Sequence, residues 1–164
     1  MSEITREPSR FGTAVAAGFA LLSIAATAVS VPNAAAVSGA GLLVLAAGLA
    51  TASRRLVTNG SAVLLIGVLY AGYTGAAPLL VLVGGLMGVL AWDAASNAVS
   101  IGEQLGKETD TMRAEVLHVV SSFLVGTLAV AVGYAVYLSA AGQQPIAAVF
   151  LLVVGAIALV NALR

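Results

Sequence analysis

PNAAAVSGAGLLVLAAGLATASRRLVTNGSAVLLIGVLYAGY, residues 32–73, is the stretch on which the fold turns. It holds two apolar runs, Ala34 to Ala52 and Leu56 to Tyr73, separated only by Ser53 and the pair Arg54-Arg55. A bilayer core about 30 Å thick needs roughly 20 apolar residues in a helix that rises about 1.5 Å per residue. Each run is therefore one crossing long, and the arginines mark the turn between them as a polar end. Glycine recurs at intervals of seven in this hairpin, Gly41 with Gly48 and Gly60 with Gly67. Such pairs lie two turns apart on one helix face and let a neighbouring backbone approach.

Outward from this hairpin the same pattern repeats. Further runs extend from about Phe11 to Val31, Ala77 to Val99, Val116 to Ala140 and Ile146 to Leu163. The expected fold is all-α: a polytopic transmembrane bundle of six helices in three hairpins, with spans near 11–31, 34–52, 56–73, 77–99, 116–140 and 146–163. A segment 1–10 precedes this single domain, and residues 102–115 form its largest loop. Composition agrees, since 60% of the 164 residues are hydrophobic and 9% are charged, where a soluble domain carries about 25% charged residues. Mean hydropathy is +1.06. With no net charge there is no basic surface for nucleic acid, and with no cysteine there are no disulfides, thiol nucleophiles or thiolate metal sites.

The connections are of two kinds. Pro32-Asn33, Thr74 to Pro78 and Ala141 to Pro145 are short, uncharged and each contain a proline, which suits a tight turn or opens the next helix. The other side receives Arg6 and Arg10, Arg54 and Arg55, Lys107 and Arg113, and Arg164, all seven Lys and Arg residues of the chain. By the positive-inside rule that side is cytoplasmic, with both termini on it, in a multi-pass protein of the cell membrane. Arg6, Arg10, Arg54 and Arg55 are the main topology determinants. Tyr70, Tyr73, Tyr134, Tyr137 and Trp92 fall near span ends, at headgroup level. The first run is about 20 residues, longer than the 7 to 15 of a signal h-region, so it reads as a retained span. Cleavage near Ala34-Ala35-Ala36 would instead leave five. Gly126 with Gly133, and Gly84 with Gly88, add further small-residue pairs, read as internal packing.

AWDAASNAVSIGEQLGKETDTMRAEVLHVVSSF, residues 91–123, carries most of the polar chemistry. Asp93, Asn97, Ser100 and Gln104 follow i, i+4, i+7, i+11 on one face of a helix that continues past the membrane. Glu115, His118 and Ser122 follow i, i+3, i+7 on the returning helix. Gly106 is suited to end the first helix, and Thr109 or Asp110 to cap the second. Asp93 is the one carboxylate inside a span, roughly 22 Å beyond Pro78 and so in the inner third of the core. An intramembrane acid points to proton or ion handling, or to a structural acid bonded to Asn97, Ser121, Ser122 or an arginine of the pair 54–55. His118 lacks a second histidine or a cysteine, so no metal or cofactor site is expected. The candidate functional cluster is Asp93, Asn97, His118 and Ser122. Glu103, Lys107, Glu108, Asp110, Arg113 and Glu115 form either a solvated face or a docking surface for a partner protein.

TREPSR (5–10), SRRLVT (53–58), LAWDAASNAVSIGEQLGKE (90–108), AEVLHVVSSFLVG (114–126) and GYAVYLS (133–139) together resemble a family of small uncharacterised haloarchaeal membrane proteins. The resemblance covers nearly the whole chain. It implies a genomic setting beside MoxR-type AAA ATPases, von Willebrand factor A-like proteins and transglutaminase-like membrane proteins, and carries no functional residue. Three functions follow as expectations. The first is a non-enzymatic membrane subunit or scaffold, with the bilayer and a cytoplasmic or membrane protein as partners and no nucleic acid. The second is a small transporter or proton-coupled carrier that uses Asp93. The third, an enzyme, lacks a second intramembrane carboxylate, a metal cluster or an evident serine and base pair.

Overall fold

The computed structural model describes residues 7–105 and 111–140. They form five helices: α1 (Arg10–Ala28), α2 (Pro32–Ala50), α3 (Arg54–Tyr73), α4 (Pro78–Leu105) and α5 (Met112–Ala140). The described chain is all-α, and each of the five helices is long and apolar enough to cross a membrane. They match the first five expected spans in order. The sixth, at 146–163, lies outside the described residues, as do Arg6, Lys107, Glu108, Asp110 and Arg164.

Helix ends shift from the expected positions for identifiable reasons. Pro32 and Pro78 are the first residues of α2 and α4 rather than part of the turns before them, because proline lacks only an N–H that the first helical turn leaves unpaired. The first tight turn is therefore residues 29–31. Beyond the apolar runs, α4 continues to Leu105 and α5 begins at Met112 rather than Val116. At 28 residues α4 rises about 42 Å, more than the roughly 30 Å of a hydrocarbon core. The backbone N–H of Glu115 donates to the Thr111 carbonyl at 3.0 Å, so α5 begins just after Thr111; Thr109 and Asp110 lie outside the described residues.

Two connections close alike. After α3, Ala76 N–H donates to the Ala71 carbonyl and Gly75 N–H to the Gly72 carbonyl, with Gly75 at φ +99°. After α2, Ser53 N–H donates to Gly48 and Ala52 N–H to Leu49, and here an alanine takes the left-handed position at φ +50°. Both are Schellman closures, and both reverse the chain within a few residues.

The chain divides into two compact units, Met1–Val130 and Ala131–Arg164. The described part of the second is the end of α5, where the Tyr134 and Tyr137 rings stack 6.1 Å apart. In the first unit α1 packs on α2, α2 on α3, α3 on α4 and α4 back on α1, an up-down-up-down ring of four. The beginning of α5 lies against this ring: Phe123 stacks on Phe19 of α1 at 6.5 Å.

Small residues face inward. On α1 the buried set is Gly12, Ala16, Ala20, Ser23 and Thr27, while Leu21 and Leu22 are exposed. On α2 and α3 the glycines meet directly: a β-carbon on Gly41 would lie 2.4 Å from the Leu64 nitrogen, and one on Gly60 would lie 2.3 Å from the Leu45 nitrogen. Only backbone fits there. Ser38 Oγ donates across this crossing to the Leu64 carbonyl at 3.2 Å, and Ser23 Oγ donates from α1 to the Gly84 carbonyl of α4 at 2.7 Å. Large apolar residues such as Leu43 and Leu69 point outward, 73% and 68% exposed. Leu45, Leu64, Val57 and Val99 are fully buried as well, so the crossings pair small residues with a few large ones, while many leucines face outward, as suits lipid tails, which supply no hydrophobic drive between helices.

Candidate functional site

Asp93 on α4 and the pair His118 and Ser122 on α5 come together. His118 and Ser122 are one turn apart, so both reach toward the same point on the antiparallel neighbour. Ser122 Oγ donates to Asp93 Oδ2 at 2.9 Å. His118 Nε2 lies 2.9 Å from that same oxygen, with side-chain exposures of 41% for His118 and 34% for Asp93. Among the described residues nothing is bonded to Asp93 Oδ1. Asn97 is half-buried one turn further along α4 and does not join the three.

Beside this carboxylate α4 and α5 leave a groove of about 430 Å³ between them. Asp93, Ser121 and Ser122 supply its polar lining, and Leu86, Val89, Trp92 and Val125 its apolar walls. Ser121 Oγ gives its proton to the Leu117 carbonyl at 2.7 Å, as serine in a helix commonly does.

Two further groups of polar contacts lie toward the end of the bundle where α1, α3 and α5 begin and α4 finishes. Arg54 Nη2 lies 2.7 Å from Glu103 Oε2, and it also donates to Ser100 Oγ at 3.0 Å. This exposed ion pair ties α3 to α4. Ser100, on the same expected stripe as Asp93, thus serves a different neighbour. Glu115 is buried, only 2% exposed. Ser9 Oγ donates to its Oε2, and Thr111 Oγ1 donates to its Oε1 at 2.7 Å. Ser9 also caps α1 by accepting from Gly12 N–H at 3.1 Å, and its own N–H donates to the Ala98 carbonyl at 3.2 Å. A β-carbon on Gly12 would lie 2.9 Å from Glu115 Oε2, so glycine is what lets this carboxylate in. Arg10, Arg55 and Arg113 are exposed at the same end.

Of the sequence candidates, then, Asp93, His118 and Ser122 converge, Asn97 stays apart, and Glu103 and Glu115 are engaged within the chain. Ser9 and Thr111 were not singled out from sequence. The only cue for Ser9 was a serine three residues before Gly12 at the start of an apolar run, the usual place of a cap. Chemically, Asp93 lies between Ser122 and His118. A serine nucleophile of the Ser-His-Asp kind has the other order, with the histidine between the hydroxyl and the carboxylate. A carboxylate beside an imidazole, with one oxygen unbonded and an apolar groove alongside, is instead suited to hold a proton or a cation.

A family model described as a family of unknown function, DUF7519, matches residues 6–160, and the chain belongs to that family. No curated protein and no solved structure matches the chain.

Proposed function

We propose that this member of a family of unknown function is a non-enzymatic, multi-pass subunit or scaffold of the cell membrane that meets a cytoplasmic or membrane protein through residues 102–115. The observation that carries this reading is the sorting of charge: Arg10, Arg54, Arg55, Glu103 and Arg113 all lie at the end where α4 finishes and α5 begins, whereas the flanks of the bundle expose leucine and valine. Among the described residues, a protein that recognises arginine side chains would meet them at this end. In this reading the bilayer is the second partner, residues 146–163 make a sixth span, both termini are cytoplasmic, and nucleic acid is no partner. The resemblance to haloarchaeal membrane proteins extends it to an assembly linked to a MoxR-type ATPase. Recovery of partners from native membranes with Lys107→Glu and Arg113→Glu tests the proposal: loss of a specific partner supports it, and unchanged recovery removes 102–115 as the dock.

The convergence of His118 and Ser122 on Asp93 favours a second reading, a small proton-coupled carrier. Ionisable residues within a membrane span are costly and commonly mark ion or proton paths. Proteoliposomes in which Asp93→Asn leaves every measured flux unchanged would end it.

A further inference from the structure

We infer that the groove between α4 and α5 binds an amphipathic organic cation, a hydrocarbon body carrying a protonated amine, with the amine on Asp93 Oδ1. The argument starts from what the groove offers by way of hydrogen bonds. Ser122 has given its proton to Asp93 Oδ2, and Ser121 has given its own to the Leu117 carbonyl. The carboxylate has none to give. Asp93, Ser121 and Ser122, the polar residues that line the groove, thus have acceptors left to offer, and while His118 Nε2 lies 2.9 Å from Asp93 Oδ2, Oδ1 has no bonded partner among the described residues.

That chemistry discriminates among ligands. An alkyl carboxylate or sulfate would set charge against charge, and a plain hydrocarbon or a second lipid tail would leave Oδ1 bare in an apolar setting, which is costly. An ammonium group brings both donors and the complementary charge. Its hydrocarbon part fits the remaining walls, Leu86, Val89 and Val125, in a volume of about 430 Å³, inside the roughly 300–1,000 Å³ of ordinary ligand sites. Val89 and Val125 are 48% and 70% exposed, so the groove opens on the apolar flank, where a membrane-dissolved ligand would arrive. Trp92, 43% exposed, lines the same groove. The inference deepens the carrier reading but concerns binding alone, so a chain that binds and does not transport would keep the one and end the other.

Trp92 is the single tryptophan of the chain, which makes it a reporter inside the groove. The full chain in phosphatidylcholine vesicles would be titrated with bromine-labelled dodecylammonium, dodecanol and dodecanoate, compared at equal mole fraction in the membrane. Saturable quenching of Trp92 by the ammonium is expected at a mole fraction about tenfold below that of the alcohol or the acid, the order set by one charge-assisted hydrogen bond. Asp93→Asn should erase that advantage. Val89→Phe, which fills the groove and leaves Asp93 in place, should weaken ammonium quenching by a similar factor and carries the test if Asp93→Asn does not fold. Equal half-saturation by the three amphiphiles in the unmodified chain would overturn the inference, as would an ammonium advantage that survives Val89→Phe.

Discussion

Glu115 shows how one residue can change its role when the chain closes around it. In sequence it sits among Glu103, Lys107, Glu108, Asp110 and Arg113 and reads as one more exposed charge. In the bundle it is 2% exposed and takes hydroxyl donors from Ser9 and Thr111. The second contact is local. The first spans 106 positions of sequence, so no local pattern announces it. The helical spacing of Glu115, His118 and Ser122 was legible, but not that the start of α1 would cover Glu115 while α4 met the other two. A buried carboxylate deprived of its donors costs about 1–3 kcal/mol or more. Glu115→Ala and Ser9→Ala should each lower the unfolding free energy, and in a double-mutant cycle they should couple by at least about 0.5 kcal/mol. Thermal unfolding of the four proteins measures it; additive effects would mean that Ser9 and Glu115 do not act on one another.

At the scale of elements, the α2–α3 crossing was the most legible part of the fold. Gly41, Gly48, Gly60 and Gly67 all face a partner atom closer than a β-carbon tolerates, and spacing by seven is the pattern such a crossing needs. The same spacing at Gly126 and Gly133 gives no such crossing among the described residues. Gly126 faces only the Leu86 side chain, and Gly133 has nothing within 4 Å among the described residues. Spacing fixes which residues share a face, and only the neighbouring helix decides whether that face is used. Sequence grouped Asp93 with Asn97, His118 and Ser122, but which of them would bond to the carboxylate was not legible, since that depends on how α4 and α5 are rotated about their axes. Two glycines of α2 separate propensity from packing. Gly39→Ala enters open space and should be neutral or stabilise by up to about 1 kcal/mol. Gly41→Ala drives a methyl group toward the Leu64 backbone and should destabilise by about 1–3 kcal/mol. Denaturant unfolding of both variants decides the matter, and equal midpoints would mean that α2 and α3 do not cross at Gly41.

For the whole molecule, the physical question is which face of the membrane holds the charged end. The alternation of short proline-containing turns with Lys- and Arg-bearing segments made the order of the helices readable before any packing was known, because turn length and loop charge are local properties. It also carries an expectation of side: under the positive-inside rule, the end with Arg10, Arg54, Arg55 and Arg113 would face the cytoplasm. The chain has no cysteine, so single cysteines can report the side directly. Val29 lies in the α1–α2 turn and is 80% exposed, and Ala50 closes α2 at the opposite end. In intact cells an impermeant maleimide should label Val29→Cys, whereas Ala50→Cys and a cysteine appended after Arg164 should react only once the membrane is permeabilised. Labelling of Ala50→Cys from outside would invert the orientation and move the partner surface away from any cytoplasmic ATPase. Labelling of the appended cysteine from outside, with Ala50→Cys protected, would remove the sixth span and leave five crossings. The two results bear on different claims, because the expected orientation comes from where the arginines lie along the first five helices, while the sixth crossing rests on the apolar run 146–163, the short turn before it and Arg164.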